Sequence, residues 1–252
     1  MKKHLLIFSL PFVLAFSLSN CSKDDDSDTP QQQIPNGNND SIPENNQPTE
    51  IEGLTVSGKI GSYTYVDLGL KNGTLWATCN VGATKPTESG YFFAWGEVSP
   101  KADYSWATYK WCNGNSNSLT KYSDTDGKMM LDADDDAATA NWGEGWRMPT
   151  KEELQELNAG CKWEWRRNYN GSGVSGRLGT SISNGATIFL PFAGYYEGSV
   201  LIASNYNGYS LASSLDKDFQ TQSTILAYNS AAIGLNSQMR YVGQSVRAVA
   251  KK

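Results

Sequence analysis

Histidine is nearly missing from this chain: His4 is the only one in 252 residues. It lies in an N-terminal stretch expected to be removed, so the mature protein is expected to carry none. That absence excludes Ser-His-Asp and Cys-His nucleophile systems, histidine-ligated catalytic zinc and imidazole acid–base catalysis. Carboxylate, cysteine-redox and calcium-assisted chemistry remain open to an enzyme. Long apolar runs are lacking too. The run from Leu5 to Leu18 falls short of the roughly 20 residues that a spanning helix needs. With Lys2 and Lys3 before it, it reads as a signal peptide over residues 1–20. An excess of positive charge is the third absence. The chain has 21 basic and 26 acidic residues, for a net charge of -5.

What is present begins with Leu18-Ser19-Asn20-Cys21, which resembles the lipobox of bacterial lipoproteins. Cys21 is then the acylated, palmitate-bearing N-terminus, and several acyl chains on one residue make a stable bilayer anchor. Lys23, Asp24, Asp25 and Asp26 follow at once and look like the surface-export signal of Bacteroidetes-type lipoproteins. Residues 21–52 are rich in Pro, Gln, Asn, Asp and Glu without an aromatic residue, a composition that cannot offset the entropy of ordering. They are expected to form a disordered acidic tether. Lys2 and Lys3 leave with the leader, and the tether holds eight acids against Lys23. That leaves 18 residues of each sign from Gly53 onward. So balanced a domain offers no basic surface for nucleic acid.

Residues 53–252 are long enough for one substantial core. Tyr63–Leu70 and Gly73–Cys79 flank a Lys71-Asn72-Gly73 turn and predict a hairpin. Gly90–Gly96 is continuously apolar and aromatic and predicts a strand buried on both faces. Residues 100–123 show no clean period and read as a long loop. Ala186–Pro191, Thr224–Tyr228 and Val242–Val249 read as strands. The densest stretch is Asn141–Leu154. There Thr150 and Glu153 have the spacing of a capping box, Leu154, Leu157 and Cys161 recur on one helical face, and Gly160 is a stop signal. Helix initiation explains so much of this stretch that Arg147 and Glu153 need no catalytic role. Trp142 and Trp146 are expected to wedge the corner into the core.

Val66–Leu70, Leu75–Ala83, Tyr91–Glu97, Asp135–Ala138, Asn141–Gly143 with Trp146–Thr150, and Gly243–Arg247 together resemble the Fibrobacter succinogenes major paralogous domain. The resemblance runs in order over nearly all of Tyr63–Val249. That family is similar in turn to the formylglycine-generating, sulfatase-modifying enzymes and to C-type-lectin-like folds. It implies an α+β fold of short twisted antiparallel strands, one or two helices and long irregular loops, with the first and last strands paired. The formylglycine-generating enzymes use a late cysteine pair, and no cysteine follows Cys161, so the resemblance implies a non-catalytic domain. Where the family often shows Tyr-Trp-Ser-Ser, this chain has Tyr209–Ser214 without the tryptophan.

Cys79, Cys112 and Cys161 are an odd number for an oxidising compartment. One disulfide with one thiol, or three buried thiols, both fit, and spacing does not choose. Asp132, Asp134, Asp135 and Asp136 are a calcium candidate, but an EF-hand frame from Asp132 places Ala137 and Gly143 at the glycine and glutamate positions. The competing reading has Asp136 capping a short helix over Ala137–Ala140. No other cofactor is indicated. Glu97, Glu164 and Glu197 are the carboxylates to inspect for a glycosidase pair. Trp106, Trp111, Tyr206 and Tyr209 are candidates for stacking on a ligand, while Trp163 and Trp165, alternating about Glu164, are assigned to the core. The sequence thus predicts an outer-membrane lipoprotein, lipid-anchored and exposed at the cell surface. Its domain is expected to bind glycan or protein without catalysis. The alternatives are a carboxylate- or calcium-dependent enzyme acting on glycans and a purely structural envelope protein.

Overall fold

The computed structural model describes residues 54–252. The predicted leader, the predicted lipidation site at Cys21, the predicted export signal at Lys23–Asp26 and the predicted tether lie outside the described residues. Among those described, no helix is long and apolar enough to cross a membrane.

The elements in chain order are β1 (Gly58–Ile60), β2 (Tyr63–Asp67), β3 (Thr74–Ala77), β4 (Phe92–Phe93), α1 (Ala137–Trp142) and α2 (Lys151–Gly160). Then follow β5 (Cys161–Arg166), β6 (Gly176–Ser181), β7 (Thr187–Pro191), β8 (Tyr195–Glu197) and β9 (Val200–Ile202). The chain closes with β10 (Asn207–Leu215), β11 (Gln222–Asn229), β12 (Ile233–Met239), β13 (Gln244–Ser245) and β14 (Val249–Lys251). This is an α+β architecture dominated by antiparallel strands. One sheet runs β1-β2-β3-β14, so the last strand pairs with an early one, and a larger sheet runs β12-β11-β10-β13-β4. Two smaller sheets are β5-β6-β7 and β8-β9. Only β10 and β13 pair in parallel.

The Tyr63–Cys79 hairpin forms as β2 and β3, with Val66 opposite Trp76. The predicted strand over Gly90–Gly96 shrinks to Phe92–Phe93. Both bounding glycines adopt left-handed backbone (φ 69 and φ 76), a conformation that breaks a ladder and that glycine tolerates best. Val242–Val249 splits into β13 and β14, although Val246 and Ala248 between them still accept from Val81 and Ala77. Gly160 ends α2 without a left-handed turn. A side chain there would meet the Cδ2 methyl of Leu70, so close approach favours glycine.

Two apolar clusters make up most of the core. One gathers Phe93, Trp95, Trp146, Leu211, Ile225 and Val246 between the two larger sheets. The other packs Leu154 and Leu157 of α2 with Val66, Trp76, Ile188 and Leu226. Two arginines are fully buried without a carboxylate. Arg247 donates to Asn80 Oδ1 (2.9 Å) and to the carbonyls of Ala77, Thr78 and Phe189. Arg240 donates to Tyr109 Oη (2.8 Å) and to the carbonyls of Lys121, Tyr122 and Gln220. Buried guanidinium groups satisfied only by polar partners are stitches. Arg240 thereby fastens the long 100–123 loop to the strand end that carries it.

Among the described residues, Cys79, Cys112 and Cys161 are three separate buried thiols, not a disulfide and a thiol. Cys79 Sγ lies 3.2 Å from Ala83 O, Cys112 Sγ lies 3.1 Å from Trp106 O, and Cys161 sits in the α2 cluster. Burial pushes the Cys161 thiol up to about 12, which suppresses the reactive thiolate.

Candidate functional site

The corner picked out by its density proves to be a folding device. Thr150 Oγ1 accepts from Glu153 N (3.2 Å) and Glu153 Oε2 accepts from Thr150 N (2.9 Å), closing the capping box. Arg147 then grips Glu153 with both terminal nitrogens, at 2.7 and 2.6 Å, and Thr74 donates to the same carboxylate. Burial pushes the Glu153 pKa upward, but the Arg147 hydrogen bonds outweigh it and the net shift is down. Arg147 also exchanges both backbone hydrogen bonds with Val249, tying the corner to the last strand. Trp146 is buried, its Nε1 donating to Ile60 O, and Trp142 stacks on Tyr63 at 3.9 Å. A recess of about 380 Å³ opens beside the pair, lined by Lys71, Thr74, Arg147, Glu153, Lys251 and Lys252. Its guanidinium and carboxylate are already matched to each other, and Lys252 is matched to Asp67 at 2.7 Å.

The carboxylates of the aspartate run turn to partners within the chain. Asp132 pairs with Lys121 and Lys128, and their hydrogen bonds hold it down at about 2. Asp135 is buried against Lys110, Lys121 and Tyr122. Burial works to raise its pKa, and these partners bring it below the ordinary value. Asp136 caps α1 through Ala138 N and Thr139 N and also accepts from Met148 N. Burial raises its pKa despite those amides. Asp134 lies in the 3-10 turn over Ala133–Asp135 and is exposed. Ligands turned toward lysines and amides do not converge on a cation. Among the described residues, no group of three His, Cys, Asp or Glu side chains gathers for a metal.

The carboxylates inspected for hydrolysis are likewise occupied. Glu97 is buried, bound to Lys101 Nζ (2.9 Å) and Lys110 N (2.8 Å). Glu197 accepts from Tyr241 Oη (2.9 Å), and Glu164 pairs with Arg166 on β5. Trp163 is half-buried, donating to Asn158 O, but Trp165 is 46% exposed, so the core assignment fails for it.

The ligand-stacking candidates separate. Trp111 has Lys110 and Lys121 ammonium groups 4.2 and 4.8 Å from its ring centre, which cover it. Trp106 is half-buried against Tyr109 and Tyr241. Tyr206 is 76% exposed in the turn that leads into β10. Tyr209 lines a trough of about 280 Å³ on the β10-β11-β12 surface.

That trough follows from strand register. Side chains two apart on a strand share a face. Opposite pairs Asn207↔Asn229, Tyr209↔Ala227, Ala227↔Gly234 and Ile225↔Asn236 therefore bring Asn207, Tyr209, Ala227, Asn229, Gly234 and Asn236 onto one face. Toward Leu211 and Ile225 the same face dives under the core, and toward Asn207 and Asn229 it is open. The floor is small because Ala227 lies beside Gly234, where a side chain would meet nothing within 4 Å. Every lining residue is uncharged. Asn229 Oδ1 is spent on the turn amides of Ala231 and Ala232, leaving its Nδ2 without a hydrogen-bond partner among the described residues. Tyr195 packs edge-on to Tyr209 at 5.3 Å. The Tyr209 hydroxyl has a raised pKa, from burial first and from Tyr195 second, so it stays a neutral donor and acceptor.

Of this group only Tyr209 had been singled out in the sequence. Asn207, Ala227, Asn229, Gly234 and Asn236 carry no local motif. The signal available was the alternation of small and amide residues on three successive strands.

No family model, curated protein or solved structure matches the chain.

Proposed function

We propose that this chain is a surface lipoprotein of the outer membrane whose C-type-lectin-like domain, of the Fibrobacter succinogenes major paralogous type, binds a glycan without catalysing its turnover. Acylated Cys21 is the anchor and residues 22–52 are the spacer. The observation that carries the binding reading is the uncharged trough. It offers amide donors and acceptors for hydroxyl groups beside a tyrosine ring, on a floor cleared by Ala227 and Gly234. Amides beside an aromatic face suit a polar ligand with apolar C–H surfaces, since a few placed polar groups fix orientation while the ring supplies contact area. The occupied states of Glu97, Glu164 and Glu197 favour binding over hydrolysis.

Gly234→Val is the discriminating variant, because the added side chain enters the trough and not the protein. On a glycan array, the full chain is expected to bind glycans and Gly234→Val to lose at least tenfold in affinity with an unchanged melting temperature. Equal binding by the two proteins would remove the trough as the site. A full chain that binds proteins and no glycan would favour a protein ligand instead.

A further inference from the structure

Resting on the trough as the binding site, we infer that the trough is one end of a longer track, and that the track takes an extended, uncharged polysaccharide and not a terminal sugar. Half-buried aromatic rings continue beyond it, with the Glu197 carboxylate standing between Tyr195 and Tyr241. Tyr209 touches Tyr195 (5.3 Å). Glu197, two residues further along β8, shares the side of Tyr195 and accepts from Tyr241 Oη at 2.9 Å. The Tyr241 ring then lies 5.1 Å from Trp106. Two of the aromatic residues picked out in the sequence, Tyr209 and Trp106, are thus the ends of one series.

Charge narrows the occupant. The trough has no ionised side chain, and the carboxylate within the series is Glu197. An acidic polymer would meet repulsion there with no cation of the lining to offset it, whereas a neutral polymer needs only hydroxyl partners and stacking faces. The edge argues against a peptide strand. β12 ends its sheet, which leaves the trough open on that side, but two of its amides are already covered: Asn236 Oδ1 accepts from Ser237 N (2.8 Å) and Gln238 Oε1 from Met239 N (3.1 Å). Side chains that occupy edge amides oppose strand addition.

Affinity electrophoresis of the full chain tests this, with hydroxyethylcellulose, xylan and mannan as neutral polymers and polygalacturonate and heparin as acidic ones. At least one neutral polymer is expected to retard the protein, and neither acidic one to do so. Trp106→Ala should weaken binding of the retarding polymer at least fivefold while leaving its disaccharide unit unaffected; Gly234→Val should weaken both. Trp106→Phe should retain most of the polymer affinity, which separates loss of a stacking face from loss of fold. Unchanged polymer binding in Trp106→Ala, with loss in Gly234→Val, would overturn the track and leave the trough standing. Preferential retardation by an acidic polymer would overturn the charge argument. No retardation in any gel would overturn both the track and the trough.

Discussion

The Asn141–Leu154 corner and the β10-β12 trough use polar residues in opposite ways. At the corner, every conspicuous group is bound within the chain. Arg147 is held by Glu153, Glu153 also by Thr74 and Thr150, and Asp136 by three backbone amides. In the trough, the conspicuous features are space and one amide nitrogen without a hydrogen bond among the described residues: Gly234 faces open room and Asn229 Nδ2 has no partner there. A cluster of charged and aromatic residues that satisfies itself builds a fold, while a plain cluster left unsatisfied on a surface is available to a ligand.

Asp136→Ala gives the largest expected break in that contrast. It removes an N-cap, worth about 1–2 kcal/mol, and strips a buried amide at Met148, worth about 1–3 kcal/mol. Loss of about 3 kcal/mol in urea unfolding is expected, with Asp136→Asn recovering part of it by keeping the cap. A loss below about 0.5 kcal/mol would mean that the corner does not hold the fold.

Arg147→Met comes next. It leaves a buried Glu153 with only Thr74 and the cap amide, and the partial exposure of Arg147 moderates the expected cost to about 1–3 kcal/mol. Affinity for the trough ligand should be retained.

Acid should act on the corner and its neighbours before the trough. The carboxyls of Glu153 and Asp135 are depressed in the folded state despite burial, so their stabilisation is fully present above about pH 4–5. It is lost as pH falls through the lowered folded values. Asp136 is raised and works the other way, since protonating it favours the folded state. With Asp132 also held down at about 2, the depressed carboxyls outnumber the raised one, and the melting temperature should fall below about pH 4. Glu153→Gln should have a lower but flatter acid limb, and an acid limb identical to that of the parent would contradict the assignment.

The smallest stability effect belongs to the trough. Gly234→Val sits on a strand in open space, and its stability should change by no more than about 0.5 kcal/mol. A larger loss would mean that the trough floor is part of the core.

The corner was legible in the sequence because capping is local. Thr150 and Glu153 are three residues apart, and Asp136 stands immediately before the helix it caps, so a linear reading reaches them. The same held for the hairpin at Lys71-Asn72-Gly73 and for most strands. The trough was not legible, because Ala227 and Gly234 are neighbours only through the β11-β12 register, and that register is set by which face each strand buries. The predicted strand over Gly90–Gly96 failed for a related reason. Phe93, Ala94 and Trp95 are buried by tertiary packing but Tyr91 is 47% exposed, and two left-handed glycines decide the backbone. Trp165 shows the limit of periodicity: it shares a strand face with the half-buried Trp163 and is paired in the same sheet, yet it is 46% exposed.

The most direct test of the central contrast measures melting temperature and ligand affinity side by side on Arg147→Met and Gly234→Val. The account predicts that Arg147→Met melts lower and binds as before, while Gly234→Val melts as before and binds at least tenfold more weakly. Loss of binding in Arg147→Met at an unchanged melting temperature would contradict it and move the site to the recess beside Lys71 and Lys251.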